Sequence, residues 1–258
     1  MTEDIDIKAV MAESEDWQAL QAQDFADTLD VYIDLKSPHA YLAIRPSLEV
    51  ARDFKVRVNF LPYTLSYERL GVSKRVGPEM KRQPLNAASD RKARMYYAAA
   101  REYAALQALP LKSPHRLLDS DLAHRYFLFA KLHGLEVPFA MAVYLQGWGS
   151  GWREFELESS SDLDSACQLV GLDTSDLQDY VAEGGEAETK LAEIMRQAEN
   201  EGFAGAPHYV FNDQDKDRRI GLFGREHLAL IRSKYFSWGL ARHADVQPDF
   251  SHAWVPQK

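Results

Sequence analysis

The sequence predicts an α/β protein in which a mixed four-stranded sheet carries a large helical insertion. Two strand patterns flank a helix near the start, at residues 28–35 and 55–61, and two more follow late in the chain, at 208–211 and 219–223. Strands joined through a helix pair in parallel by a right-handed crossover, whereas strands joined by a short turn pair antiparallel. The two pairs of strands therefore predict a sheet of mixed direction.

The first strand and the first helix meet at Ser37. Apolar residues alternate from Leu29 to Leu35, which is typical of a strand. The Ser-Pro pair that follows is a strong signal of a helix start, because serine can cap the first turn and proline needs no backbone donor there. We expect this helix to run from Pro38 to about Asp53, with a kink where Pro46 removes a backbone donor.

Helical patterns dominate between the two pairs of strands. The predicted helices of this region span residues 91–109, 119–133, 138–148, 162–170 and 175–182. A further helix at 186–201 precedes the third strand, and Gly224 opens a last helix that ends near Tyr235. This order of elements is that of a thioredoxin-like fold with helices inserted in its middle. We predict a domain at 28–238 with an insertion at about 63–185, an N-terminal extension (1–27) and a C-terminal tail (239–258).

The composition argues against several classes of protein. A net charge of −9, from 30 basic and 39 acidic side chains, repels a polyanion, so nucleic acid is not an expected partner. Cys167 is the only cysteine, so neither an intramolecular disulfide nor a Cys-x-x-Cys redox centre can form. The spacing of His115, His124 and His133 does not align them on one helical face, so no metal site is expected.

The chain is also not expected to associate with a membrane. It has no run of about 20 apolar residues, which a membrane-spanning helix needs. Its acidic start lacks the apolar segment of a signal peptide. We therefore expect a cytoplasmic protein.

Several stretches of the sequence form a pattern that extends over most of the chain. They are VYIDLKSPHAYLA from Val31, RYFLFA from Arg125, an aromatic and acidic segment around 148–162, GFAGAP from Gly202 and FGREHL from Phe223. In this combination the chain resembles the 2-hydroxychromene-2-carboxylate isomerases, relatives of the kappa-class glutathione transferases and of the DsbA-like thioredoxin proteins. The resemblance covers about residues 29–235. It implies a DsbA-like thioredoxin fold, glutathione as cofactor and, because relatives are often dimers, a homodimer.

Ser37 is the candidate catalytic residue. It lies where free backbone donors and the positive end of the helix dipole favour an anion or a thiolate. A thioredoxin-type protein would have its reactive cysteine there. With serine in its place, a thiolate would have to arrive with a ligand, and glutathione is the obvious carrier. The alternative is that Ser37 only caps the helix.

The resemblance implies two further backbone and amide contacts with the ligand. The peptide bond between Ala206 and Pro207 would be cis and face the helix terminus, leaving the backbone of Ala206 free to pair with a ligand. A cis bond is a minority state, about 5–6% of X-Pro bonds, so an ordinary trans proline is the alternative. Asn86 would contact substrate or glutathione, although a loop asparagine can equally bond its own turn. His208 departs from the small or hydroxyl residues of relatives and could alter the pocket.

The start of the last helix implies a site for the γ-glutamyl end of glutathione. There Arg225 and Glu226 occupy the places of a polar residue and an aspartate in the family. Glu226 keeps the negative charge of the aspartate but moves it by one methylene. An acidic residue at a helix start is also explained by the helix dipole alone. His39 either reaches the pocket as a base or lies on an exposed turn. Trp148 and Trp152 either pack in the core or form an apolar wall.

The leading hypothesis from the sequence is a glutathione-dependent cis–trans isomerase acting on an aromatic enone. A bound thiolate would add to the conjugated double bond, allow rotation and leave again. One alternative is a kappa-like glutathione transferase, which would consume glutathione. The other is a noncatalytic thioredoxin-like protein that holds a peptide at the cis-proline edge.

Overall fold

A four-stranded mixed sheet lies at the centre of the computed structural model, which describes residues 17–66 and 87–250. Its strands are β1 (Asp27–Ile33), β2 (Val56–Pro62), β3 (His208–Asp213) and β4 (Arg218–Phe223). Their order is β2-β1-β3-β4, with β1 parallel to β2 and antiparallel to β3, and with β3 antiparallel to β4. The predicted α/β class and mixed sheet are confirmed.

The helices lie close to their predicted positions. They are α1 (Pro38–Tyr41), α2 (Ile44–Asp53), α3 (Ala87–Leu106), α4 (Asp121–Leu132), α5 (Glu136–Ser150), α6 (Ser160–Leu169), α7 (Leu177–Val181), α8 (Glu186–Asn200) and α9 (Leu228–Ser237). The last of them does not begin at Gly224, because a 3-10 turn, Arg225–His227, comes first. Gly224 itself has a φ of 110°, which no helical residue adopts.

Pro46 breaks the first predicted helix in two, rather than bending one long rod. A proline has no N–H with which to bond the carbonyl four residues earlier, here that of Leu42. This carbonyl instead accepts a hydrogen bond from Nε2 of Gln107 at 3.0 Å. The helix that follows Ser37 is therefore a single turn of four residues.

Helices cover both faces of the sheet. On one face α8 packs through Leu191 and Ile194 against Tyr32 and Val210. On the other face Tyr235 of α9 contacts the ring of Phe211 at 5.9 Å between centroids. The central strands β1 and β3 are thus largely buried, whereas the edge strand β4 has no buried residue.

The described residues just before β1 and just after α9 include ones that lie beside β2. Trp17 is buried and its ring lies 5.7 Å from that of Phe60. On the C-terminal side, the N–H of Lys55 donates to the carbonyl of Leu240 at 2.8 Å. Apolar contact and backbone pairing therefore join parts of both terminal segments to the edge of the sheet.

The two tryptophans of the inserted helices pack in the core that they share with the sheet, which is one of the two alternatives that the sequence left open. Trp148 and Trp152 are fully buried and their rings pack edge to face at 5.3 Å. Cys167 is buried too, and burial raises the pKa of its thiol to about 12, so the thiol stays protonated at neutral pH. No helix in the described ranges is both long and apolar enough to cross a membrane.

Candidate active site

Ser37 and the Ala206–Pro207 peptide lie in direct contact at the end of the sheet. The peptide bond is cis, as the resemblance implied. The Ser37 hydroxyl donates to the carbonyl oxygen of Ala206 at 3.2 Å and accepts from the N–H of Ala40 at 3.3 Å. The serine therefore caps α1 and also ties this helix to the cis-proline loop.

The hydroxyl of Ser37 has little left to offer a ligand in this arrangement. A serine carries one hydroxyl hydrogen, and Ala206 receives it. The side chain is buried, with 3% of the residue exposed. The helix behind it is one turn long, so its dipole is smaller than that of the long helix we expected. The predicted support from a long helix dipole is wrong, because Pro46 ends that helix early.

The backbone of Ala206 keeps one open group. Its carbonyl accepts the hydrogen bond from Ser37, but its N–H has no acceptor among the residues that the structure describes. An unpaired amide beside a strand end can pair with the backbone of an extended peptide. The amide of Ala206 is thus available for the pairing that the resemblance implies, which stays a prediction.

A cleft of about 310 Å³ opens beside this contact. That volume lies near the lower end of the range of roughly 300–1,000 Å³ typical of small-molecule sites. Its walls are His39, Tyr96, Tyr103, Ala206, Pro207, Phe223, Gly224, Arg225 and Glu226. The fold thus brings Ala206, Pro207, Arg225 and Glu226 together, and Ser37 lies directly behind Ala206.

Arg225 presents a buried positive charge to the cleft. It is 4% exposed, and its guanidinium stacks on the ring of Tyr103 at 3.8 Å. In the described part of the chain, neither Nη1 nor Nη2 has a hydrogen-bond partner. Burial lowers the pKa of Arg225, yet an arginine remains charged in a protein. Since an unpaired buried charge is unfavourable, this site favours an anionic ligand.

Glu226 lies against the backbone of Gly224. The φ of 110° at Gly224 is one that L side chains rarely adopt, and the Glu226 carboxylate occupies the space that a Cβ there would need. Only glycine leaves room for this carboxylate. The cleft wall therefore carries a guanidinium and a carboxylate on adjacent residues.

His39 and Tyr96 form another part of the cleft wall. Their rings pack edge to face with centroids 4.4 Å apart. Burial lowers the pKa of His39 to about 4, and the nearby Arg225 charge acts in the same direction. Of the two interpretations of His39, the structure favours the one in the pocket, but as a neutral imidazole and a weak base.

A buried carboxylate fixes the loop between β1 and Ser37. Asp34 is fully buried and pairs with Nζ of Lys36 at 3.2 Å, while the hydroxyl of Ser120 donates to it at 2.7 Å. The carbonyl of Asp34 also accepts from the N–H of Ser37 at 2.8 Å. Burial alone would raise the pKa of Asp34, but the Lys36 charge, with His124 and Ser120, holds it below its ordinary value.

His124 completes this network from helix α4. Its Nε2 accepts from the N–H of Leu35 at 3.1 Å, so Nδ1 carries the proton and donates to the Thr64 hydroxyl at 2.8 Å. Burial lowers the pKa of His124 to about 4, which keeps it neutral. Sequence reasoning missed this cluster, because its members come from separate segments.

His208 does not face the cleft, which corrects the expectation that it alters the pocket. Successive strand residues point to opposite faces. Tyr209 points towards Ser47 of α2, whereas the buried His208 ring packs on Phe203 at 5.4 Å. Asn86, the remaining predicted contact, lies outside the described residues.

A mixed sheet with a cis-proline opposite the first helix defines a thioredoxin-like protein. The chain belongs to the family of the DSBA-like thioredoxin domain, whose model matches residues 28–236. Among curated proteins, none matches the chain.

Two solved structures illustrate the likeness. A 2-hydroxychromene-2-carboxylate isomerase is 19% identical, with 82% of this chain and 96% of that chain covered and a TM-score of 0.64. The cytosolic disulfide reductase DsbM from Pseudomonas aeruginosa, solved with GSH, is 17% identical, with 82% and 97% covered and a TM-score of 0.54. At these identities the likeness shows the DsbA-like fold.

Proposed function

We propose that this protein is a glutathione-dependent cis–trans isomerase of the 2-hydroxychromene-2-carboxylate isomerase type, acting on an aromatic enone. The observation that carries the proposal is the buried guanidinium of Arg225, whose terminal nitrogens have no hydrogen-bond partner among the described residues, in a cleft beside Ser37 and the cis-proline. Glutathione suits that cleft because its carboxylates can pair with Arg225. It also brings a thiol to a site where the chain has no cysteine of its own.

The charges of the cleft fit the groups of glutathione. A guanidinium can bind a carboxylate through two parallel hydrogen bonds, so Arg225 would hold a carboxylate of the tripeptide. Glu226 would hold the γ-glutamyl ammonium beside it. The open N–H of Ala206 would donate to a peptide carbonyl. Bound glutathione would supply a thiolate that adds reversibly to a conjugated double bond.

The remaining walls suit an aromatic substrate. Phe223 is 49% exposed at the cleft, although it is a large apolar side chain. Tyr103 and Tyr96 add two more aromatic rings to the same space. Such rings stack on flat ligands and exclude water from a reacting group. The chain would thus position the enone rather than supply its own nucleophile.

Calorimetry with glutathione tests the cofactor. We expect the wild-type chain to bind it and the Ser37→Ala variant to bind it more weakly. No heat at millimolar glutathione would instead favour a noncatalytic binding protein. Product analysis then separates the two reactions, because an isomerase returns glutathione and a kappa-like transferase consumes it.

The homodimer and the cytoplasmic location stay predictions. Light scattering measures the oligomeric state.

A further inference from the structure

The ring of Tyr103 lies against the guanidinium of Arg225. The Cζ atom of Arg225 is 3.8 Å from the centre of this ring, and both side chains line the cleft. Tyr103 belongs to helix α3 of the insertion, whereas Arg225 comes just after strand β4. The contact therefore joins the insertion to the sheet at the cleft.

Arg225 is held differently from another buried arginine, Arg232. The two residues are 4% and 5% exposed. Nη2 of Arg232 pairs with the carboxylate of Asp53 at 2.6 Å, and its Nε donates to the carbonyl of Asp249 at 2.7 Å. By contrast, neither Nη1 nor Nη2 of Arg225 has a hydrogen-bond partner in the described part of the chain. The terminal donors of Arg225 are therefore left for an acceptor from outside the chain.

Stacking is a contact that leaves these donors available. The hydrogens of a guanidinium lie in its plane, whereas an aromatic face attracts the cation from above that plane. The ring of Tyr103 therefore stabilises the charge of Arg225 without taking any of its hydrogens. A carboxylate can then accept two parallel hydrogen bonds from Nη1 and Nη2.

The end of helix α3 is anchored one turn beyond Tyr103. There the N–H of Gln107 donates to the Tyr103 carbonyl at 3.2 Å, and Nε2 of the buried Gln107 donates to the carbonyl of Leu42 at 3.0 Å. Nη1 of Arg45 donates to the carbonyl of Gln107 at 2.6 Å. The Leu42 carbonyl is the one left open by Pro46, so the break in the first predicted helix provides an acceptor that fixes α3 beside the cleft.

We infer that Tyr103 is a positioning residue that stacks on Arg225 and keeps its Nη1 and Nη2 available for the carboxylate at the γ-glutamyl end of glutathione. The inference rests on the proposed function and adds to it the residue that makes Arg225 selective for a carboxylate. Tyr103 acts through the arginine and does not touch the carboxylate itself. Glu226 pairs with the ammonium on the same carbon atom of the ligand.

Calorimetry on the full chain with two ligands tests the inference. The ligands are glutathione and its analogue in which the γ-glutamyl carboxylate is an amide. We expect wild type to bind the amide about 10-fold more weakly, because the charge-assisted pair with Arg225 is lost. Tyr103→Leu should bind glutathione about 10-fold more weakly than wild type, as for the loss of a buried cation–π contact, and should bind the amide as wild type does. Tyr103→Phe keeps the ring and should keep the preference for glutathione.

Two further variants complete the design. Tyr97→Leu is the matched control, because it removes a ring of the same helix that packs 6.2 Å from Trp148 and is not among the cleft walls. It should leave both affinities unchanged. Arg225→Met should bind the two ligands equally, and adding Tyr103→Leu to it should cause no further loss, since the tyrosine acts through the arginine.

The outcomes separate this inference from the function on which it rests. If wild type binds glutathione and Tyr103→Leu weakens both ligands equally, or if Tyr103→Phe loses the preference too, the inference is overturned and the proposed function is not. If wild type binds no glutathione, the proposed function fails and the inference fails with it. Circular dichroism on each variant distinguishes a change in ligand preference from a loss of folded protein.

Discussion

The hydroxyl of Ser37 donates to the carbonyl oxygen of Ala206 at 3.2 Å, across 169 residues of sequence. One contact thereby joins the first helix to the cis-proline loop. The same serine caps α1 through the N–H of Ala40. Comparison with substitution of a serine that only caps a helix separates its two roles.

Replacing Ser37 by alanine removes a helix cap and the tie to the cis-proline loop. We expect the free energy of unfolding to fall by about 1–2 kcal/mol, and glutathione to bind more weakly because the loop is no longer held. Ser159→Ala is the matched control, since Ser159 caps α6 through the N–H of Asp162 at the same 3.3 Å. Urea denaturation should show a loss of stability in both variants, and calorimetry a loss of binding in Ser37→Ala alone.

Replacing Arg225 by methionine removes the charge and keeps an apolar stem against Tyr103. Because Nη1 and Nη2 have no hydrogen-bond partner in the described part of the chain, we expect the free energy of unfolding to stay the same or rise. Glutathione affinity should fall about 10-fold or more, as for the loss of a charge-assisted pair. Arg219→Met, which loses partly exposed ion pairs with Asp30 and Glu201, serves as control. Unchanged affinity in Arg225→Met would show that this arginine does not bind the ligand.

Replacing Gly224 by alanine places a Cβ where the Glu226 carboxylate lies. The variant should lose both stability and glutathione affinity, because the carboxylate must move and the backbone at φ 110° is strained. Gly134→Ala introduces the same methyl at a positive φ of 67° with nothing within 4 Å. Thermal melts measure the stability of both variants. Calorimetry should show a loss of glutathione affinity only in Gly224→Ala.

Stability should fall as the pH falls from neutral to about 4, with His124 as one cause. Its pKa is lowered from 6.5 to about 4 in the folded protein, so the unfolded chain takes up the proton first. That difference costs about 2 kcal/mol between pH 7 and pH 5. His124→Gln keeps a donor and an acceptor without the titration, and it should reduce the acid dependence in urea denaturation. The control variant His133→Gln, at an exposed site, should leave the acid dependence unchanged. Equal slopes of stability against pH in the wild type and in both variants would contradict the prediction.

The sheet and most helices could be predicted from local pattern. Alternation from Leu29 to Leu35 marks β1, and the missing donor of Pro46 marks the break in the first helix. The cleft could be predicted only in part, through the resemblance, which pointed to Ala206–Pro207 and Arg225. No local signal marks Tyr96 or the pairing of Leu35 with His124, 89 residues apart, because the fold alone brings such residues together.

The Ser-Pro pair predicts only one of the two hydrogen bonds that Ser37 makes. The pattern predicts the cap on Ala40 correctly, since capping depends on neighbouring residues. It does not reveal that the Ser37 hydrogen is given to Ala206, which depends on the far end of the chain. Which hydroxyl a ligand meets is therefore a property of the folded cleft.

The most direct measurement is a crystal structure of the full chain with glutathione. The account predicts the tripeptide in the cleft, with one carboxylate on Arg225 and its sulfur directed towards Ser37. Glutathione bound elsewhere, or bound with its sulfur directed away from Ser37, would contradict it.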